Sequence, residues 1–186
     1  MGFVVADRQL TLGDRCRFRK TRQTGGVSLL PPLPPIGERD PGDAWVEGPD
    51  GQRFWGRFGA AGLVVWDPAV GILMQHRVAW SHFGGTWGIP GGARKVGEAA
   101  EAAALREANE EANVPAESLR ILHTSVFDLG FWSYTTVVAQ ALEPFDAVVG
   151  DHESNELRWV PVDEVDGLPL HPGFATAWPE LQTWLR

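Results

Sequence analysis

Residues 91–114 read GGARKVGEAAEAAALREANEEANV. Two glycines lead into a short basic loop, and from Ala99 to Ala112 nearly every residue is Ala, Glu, Leu or Arg. These are the strongest helix formers, and neither Gly nor Pro interrupts them, so the stretch predicts a helix. It carries five glutamates, Glu98, Glu101, Glu107, Glu110 and Glu111. Residues three and four apart share a helix face, which brings Glu107, Glu110 and Glu111 to one side, where each like-charged pair costs a few tenths of a kcal/mol. Arg106 can offset part of this through its i, i+4 relation to Glu110, but it cannot neutralise three carboxylates. The set needs a counter-ion, and hard oxygen donors suit Mg²⁺ or Mn²⁺. Glu101 falls away from the others and reads as a solvent-facing charge. Leu105, Ala108 and Ala112 form a side able to lie flat on a sheet. Gly91 and Gly92 let the backbone approach a ligand or offer it a carbonyl. On the carboxylate face alone, a solvated acidic helix behind a glycine turn explains the stretch equally simply.

Upstream, GAAGLVVWDP (59–68) and GILMQHR (71–77) read as two strands parted by a breaker, and EGPDGQRFWGRF (47–58) contains a hairpin-type Asp50-Gly51 turn. Residues 78–92 form a loop rich in glycine and aromatics. Downstream, 118–130 and 132–142 are rich in β-branched and aromatic residues, as strands are. An acidic loop GDHESNE (150–156) precedes a short strand at 157–162. A closing helix is expected near 172–185, kinked or divided at Pro179. Strands alternating with two helices predict an α/β sandwich around a mixed sheet.

Residues 1–45 differ in character. Arg15, Arg17, Arg19, Lys20 and Arg22 make a basic run, and five prolines fall within 31–41. Proline at this density favours extended polyproline structure. The segment therefore reads as an arm and linker before a domain spanning 46–186. Alternatively the arm packs on that domain, or on a second copy in a homodimer.

A chain of 186 residues with 44% hydrophobic and 22% charged residues suits one ordinary globular domain. Its net charge of −8 argues against a nucleic-acid polymer as partner but not against a small phosphorylated ligand held through a cation. One cysteine, Cys16, excludes an intrachain disulfide framework and a multi-cysteine zinc site. No apolar run approaches the roughly 20 residues that span a bilayer, so no membrane association is expected. The opening MGFVVADRQLTLGDR does not read as a secretory signal, and a cytoplasmic location is expected.

The full spacing decides between the two readings of the acidic helix. Gly92, five residues, Glu98, seven residues, then Arg106-Glu107-x-x-Glu110-Glu111, with Ala108 and Val114 at aliphatic positions, resembles the signature of the Nudix hydrolases. Asn113 stands where that family usually has glycine, and asparagine is the best substitute where a helix ends in left-handed backbone. The resemblance implies an α/β/α sandwich that directs water at the phosphorus of a nucleoside diphosphate derivative, with Mg²⁺ or Mn²⁺ bound to the motif. It implies Glu107, Glu110 and Glu111 as metal ligands, joined by a carbonyl at Gly91 or Gly92. It casts Glu98 and Arg106 as an ion pair bracing the loop against the helix, with Arg106 also orienting a ligand carboxylate. A later acidic residue often completes such sites, and Glu153 is the candidate here, with Glu156 second. Glu107 and Glu153 are the contenders for general base.

Around the motif, Trp80, Phe83, Trp87, Trp132 and Tyr134 are candidates for stacking a base, though each also suits a core. Arg77 can contact a phosphate or form a surface ion pair. The substrate class is small nucleotides, including damaged triphosphates such as 8-oxo-dGTP. A non-catalytic nucleotide sensor is the alternative, but such modules usually lose motif glutamates and all are present here. An isopentenyl diphosphate isomerase would need a cysteine in the core domain, and Cys16 lies in the arm.

Overall fold

The structure, a computed structural model, describes residues 40–185. Most of the expected arm, with Cys16 and the prolines up to Pro35, lies outside the described residues. Residues 40–44, read from sequence as the end of a linker, are tied into the fold. Gly42 N–H donates to Asp40 Oδ1 at 2.7 Å, and the N–H groups of Gly56 and Arg57 donate to the carbonyls of Ala44 and Gly42.

Strands β1 (Trp45–Glu47) and β2 (Arg53–Trp55) form the expected small hairpin, with Trp45 opposite Trp55. Its turn closes through Gly51 N–H to the Gly48 carbonyl at 3.0 Å, and Gly51 has the positive φ of 79° that such a turn requires. The main sheet contains β3 (Ala60–Asp67), β4 (Gly71–Arg77), β5 (Trp87–Gly88) and β6 (Gly91–Ala93), then β7 (Leu119–Asp128), β8 (Ser133–Ala141) and β9 (Ser154–Val160). The order β5-β4-β3-β8-β7 forms its spine, with β6 beside β3 and β9 beside β4. Strands β3 and β8 run parallel from Ala60 opposite Tyr134 to Trp66 opposite Gln140, and the other pairings are antiparallel, so the sheet is mixed.

The β3–β4 pairing places the site. These strands are in register only at Trp66–Ile72 and Asp67–Gly71, beside their connecting turn. Away from the turn, β3 pairs with β6 at Ala60–Gly62, while β4 pairs with β9 along its length. The glycines at the head of the motif are thereby held at the sheet end by β3 backbone.

Alternation along the strands sorts side chains into two layers. Ala61, Leu63, Val65, Leu73, Val137 and Ala139 face helix α1 (Ala100–Ala112), meeting its Ala103, Ala104, Ala108 and Ala112. Val64, Trp66, Ile72, Met74 and Val138 face helix α2 (Pro172–Leu181), meeting Phe174, Trp178 and Leu181. The result is the expected α/β/α sandwich. Four alanines at the α1 contact let that helix lie close to the sheet, while α2 uses large aromatics. Helix α1 ends as its sequence predicts: Asn113 takes φ 55°, and its N–H donates to the Asn109 carbonyl at 3.0 Å. The helix is not divided at Pro179. Helix α2 runs through that residue and tightens into a 3-10 turn at Gln182–Trp184.

Candidate active site

Arg106 organises the motif. Its Nε and Nη2 donate to the two oxygens of Glu98 at 2.8 and 2.9 Å, a two-pronged pairing that joins α1 to the loop before it. Nη2 also reaches the Ala93 carbonyl at 3.0 Å, and Nη1 donates to Glu107 at 2.8 Å and to Glu110 at 3.0 Å. The hydrogen bond from Arg106 lowers the Glu98 pKa, with the Lys95 N–H donating to the same carboxylate at 2.8 Å. One guanidinium therefore aligns three motif carboxylates. Glu110 is the most exposed of them and also lies 3.8 Å from Lys95 Nζ.

Glu111 points the other way, inward. Only 5% of it is exposed, and one oxygen accepts the Gly91 N–H at 2.8 Å. Burial raises its pKa well above the carboxylate range; the Gly91 hydrogen bond opposes this, and the charges of Glu107, Asp151 and Glu153 reinforce it. Glu107 is pushed up to about 6, chiefly by burial, against the lowering effect of Arg106. Its carboxylate lies over Gly92, where a Cβ would stand 2.7 Å from both oxygens. A side chain there would push the carboxylate aside.

The second half of the site comes from the loop before β9. Oxygens of Glu111, Asp151 and Glu153 can all lie within 4.8 Å of one another. Burial raises the Glu153 pKa, Arg77 opposes this, and Asp151 adds to it. Glu153 was expected here and Asp151 was not. Glu156 does not join the group; it pairs with Arg158 at 2.8 Å. Asp43, from the segment before β1, contributes another negative charge felt by Glu107 and Glu153, and burial raises its own pKa.

This arrangement has close relatives. The NUDIX domain model matches residues 56–181. The chain belongs to the Nudix family. It is 48% identical over 167 residues to a Mycobacterium tuberculosis protein provisionally named 8-oxo-dGTP diphosphatase 3, covering 83% of this chain and 76% of that one. A crystal structure of a Nudix hydrolase from M. smegmatis, RenU, shares 50% identity, with a TM-score of 0.69 over 76% of this chain and 94% of that one. The binary complex of an Ap4A hydrolase from C. elegans, 25% identical, gives a TM-score of 0.57 over 68% of this chain and 97% of that one.

In this Nudix hydrolase the six residues singled out for substrate have different surroundings. Trp87 is a core residue on the α2 side, with His76 stacked at 4.9 Å and the Arg158 guanidinium 4.5 Å from its ring centre. Trp132 is half-buried; its indole N–H donates to the carbonyls of Trp55 and Gly56, and Phe54 lies 4.7 Å from its ring. Tyr134 lies against the glycine backbone of β3 and β6, and burial followed by the Glu111 charge raises its pKa. Trp80 and Phe83 are exposed in the loop after β4, and Phe83 holds a positive φ of 54°. Positive φ is strained for an aromatic residue, and here the ring packs against His82 and His171. Arg77 Nε donates to the His82 carbonyl at 3.1 Å, and among the described residues Arg77 makes no ion pair.

Proposed function

We propose that this Nudix hydrolase cleaves a diphosphate linkage in a nucleoside diphosphate derivative, with Mg²⁺, or Mn²⁺ in its place, held by its acidic residues. The observation that carries this reading is the meeting of Glu111, Asp151 and Glu153 beside Glu107, with both motif carboxylates raised in pKa by burial. Oxygen donors with that much uncompensated charge fit a hard divalent cation. Glu107, Glu110, Glu111 and Glu153 would hold it, with Asp151 and a carbonyl at Gly91 or Gly92. Such a cation supplies the positive charge that diphosphate oxygens require.

The chain's own groups do the rest. Arg106 keeps Glu107 and Glu110 aligned and, through Glu98, fixes the helix to the loop. Glu107 and Glu153 are the two candidate bases for the proton of water. Arg77 is placed to meet a phosphate, and Phe83 and Trp80 to meet a base. Trp87 and Trp132 support the site from within their own packing.

Nucleoside triphosphates, including oxidised ones such as 8-oxo-dGTP, are the proposed substrates, a choice supported by the name of the 48% identical relative. Substrates of that class fit a cytoplasmic enzyme, active as a monomer or as a homodimer. The test is a panel of nucleoside triphosphates, 8-oxo-dGTP, ADP-ribose, nucleotide sugars and diadenosine polyphosphates. Cleavage of triphosphates that EDTA abolishes and Mg²⁺ restores is expected. No cleavage of any compound under Mg²⁺ or Mn²⁺ would favour a nucleotide-binding sensor.

A further inference from the structure

Gln75 is a polar residue in an apolar place. It lies on β4 after the buried Leu73 and Met74, opposite Leu157 of β9, and none of it is exposed. Its Nε2 donates to Ser154 Oγ at 2.7 Å, while its Oε1 has no partner among the described residues. Leaving a buried acceptor unpaired costs about 1–3 kcal/mol, so an apolar side chain of similar shape would be easier to accommodate.

The hydrogen bond leads to the acidic loop. Ser154 Oγ continues to Asp151 Oδ1 at 3.3 Å, and that oxygen also accepts the Glu153 N–H at 3.0 Å. A register shift between His76 and Arg77 passes over Asn155 and sets Ser154 opposite Arg77. This bulge brings the Ser154 hydroxyl to Gln75, and bulges commonly re-aim side chains beside active sites. The backbone fixes the rest of the loop: Val78 N–H donates to the Glu153 carbonyl at 3.0 Å, and Gly150 N–H to the Glu111 carbonyl at 2.9 Å.

We propose that Gln75 is a positioning residue which, through Ser154, holds one oxygen of Asp151 and so aims Asp151 and Glu153 at Glu111. This rests on the reading of that carboxylate group as a metal site. Gln75 itself touches neither metal nor substrate. Partners that orient metal ligands typically contribute 10–100-fold to affinity.

The test titrates Mn²⁺ alone into the full chain by calorimetry and measures the melting temperature in EDTA. Gln75→Leu and Ser154→Ala should each weaken the Mn²⁺ dissociation constant roughly tenfold or more. Gln75→Leu should leave the melting temperature in EDTA unchanged or raised. Ser154→Thr, which keeps the hydroxyl, should restore binding. A merely structural hydrogen bond would lower the melting temperature and leave Mn²⁺ affinity alone, so dissociation constants near wild type in both variants overturn the proposal. Ser154→Ala decides the matter if Gln75→Leu does not fold. A Glu111→Gln control separates the two levels. If wild type and that control bind Mn²⁺ alike, the metal reading falls and the proposal with it.

Discussion

The two acidic segments of the site are held in opposite ways. On α1, charge meets charge: Arg106 engages Glu98, Glu107 and Glu110 within 3.0 Å. On the 150–154 loop, Asp151 is held by neutral donors, the Glu153 N–H and the Ser154 hydroxyl. Glu111 lies between them, buried and, among the described residues, without a cationic side chain as hydrogen-bond partner. The helix half is therefore compensated only in part, one guanidinium standing against three carboxylates. The loop half and Glu111 leave a net negative charge at a partly dry position, which an added cation would relieve. On the proposed metal reading, the cation would relieve Glu111 and the loop most, since the ion pairs of Arg106 go to Glu98, Glu107 and Glu110.

The largest break in this contrast is at Glu111. Glu111→Gln keeps an oxygen for the Gly91 N–H but removes the buried charge. Turnover should fall by more than the roughly 100-fold upper range for losing a partner of a metal ligand. The melting temperature in EDTA should hold or rise, and steady-state kinetics with thermal melts check both. Breaking the helix half should do the reverse and damage stability first. Arg106→Gln leaves carboxylates without their cation and should cost about 3 kcal/mol, read by denaturant unfolding without metal.

Gly92→Ala should be smaller, because Glu107 can move aside from the new Cβ. About 1–3 kcal/mol of overpacking is expected, together with lower activity from the displaced carboxylate. Asn113→Ala lies outside the site and should cost only about 1 kcal/mol for left-handed backbone, with the metal requirement unaltered.

Proton linkage gives a finer comparison. Glu107 has a folded-state pKa of about 6 against an ordinary 4.5, so folding favours its protonated form. Its contribution to metal-free stability is full below pH 4.5 and is lost as pH rises through about 6. Melting temperature in EDTA should therefore decline across that window, and a Glu107→Gln variant should lack this part of the decline. Activity should run oppositely, falling in acid as protons compete with the cation for Glu107, with a midpoint that moves lower as Mg²⁺ is raised.

How much was legible depended on how local the cause was. The shared face of Glu107, Glu110 and Glu111 follows from helical period, while the Glu98–Arg106 pair and the left-handed Asn113 came from the resemblance to the Nudix signature. The alternation of strands with two helices likewise pointed to the α/β sandwich. Asp151 and Gln75 were missed because their roles need contacts across the chain, Gln75 meeting Ser154 from 79 residues away. Asp43 was missed because the proline-rich run before it reads as linker. Trp87 was a candidate for stacking because sequence shows a tryptophan beside a glycine loop, while the strand pairing that turns it into the α2-side core is set by register with His76.

The central claim is that helix and loop carboxylates serve one ion. A double-mutant cycle of Glu111→Gln and Asp151→Asn, read as Mn²⁺ affinity by calorimetry, tests it directly. One shared ion predicts that each single change weakens binding and that the double variant loses much less than the sum of the two. Strict additivity, or an Asp151→Asn variant that binds Mn²⁺ like wild type, would contradict it.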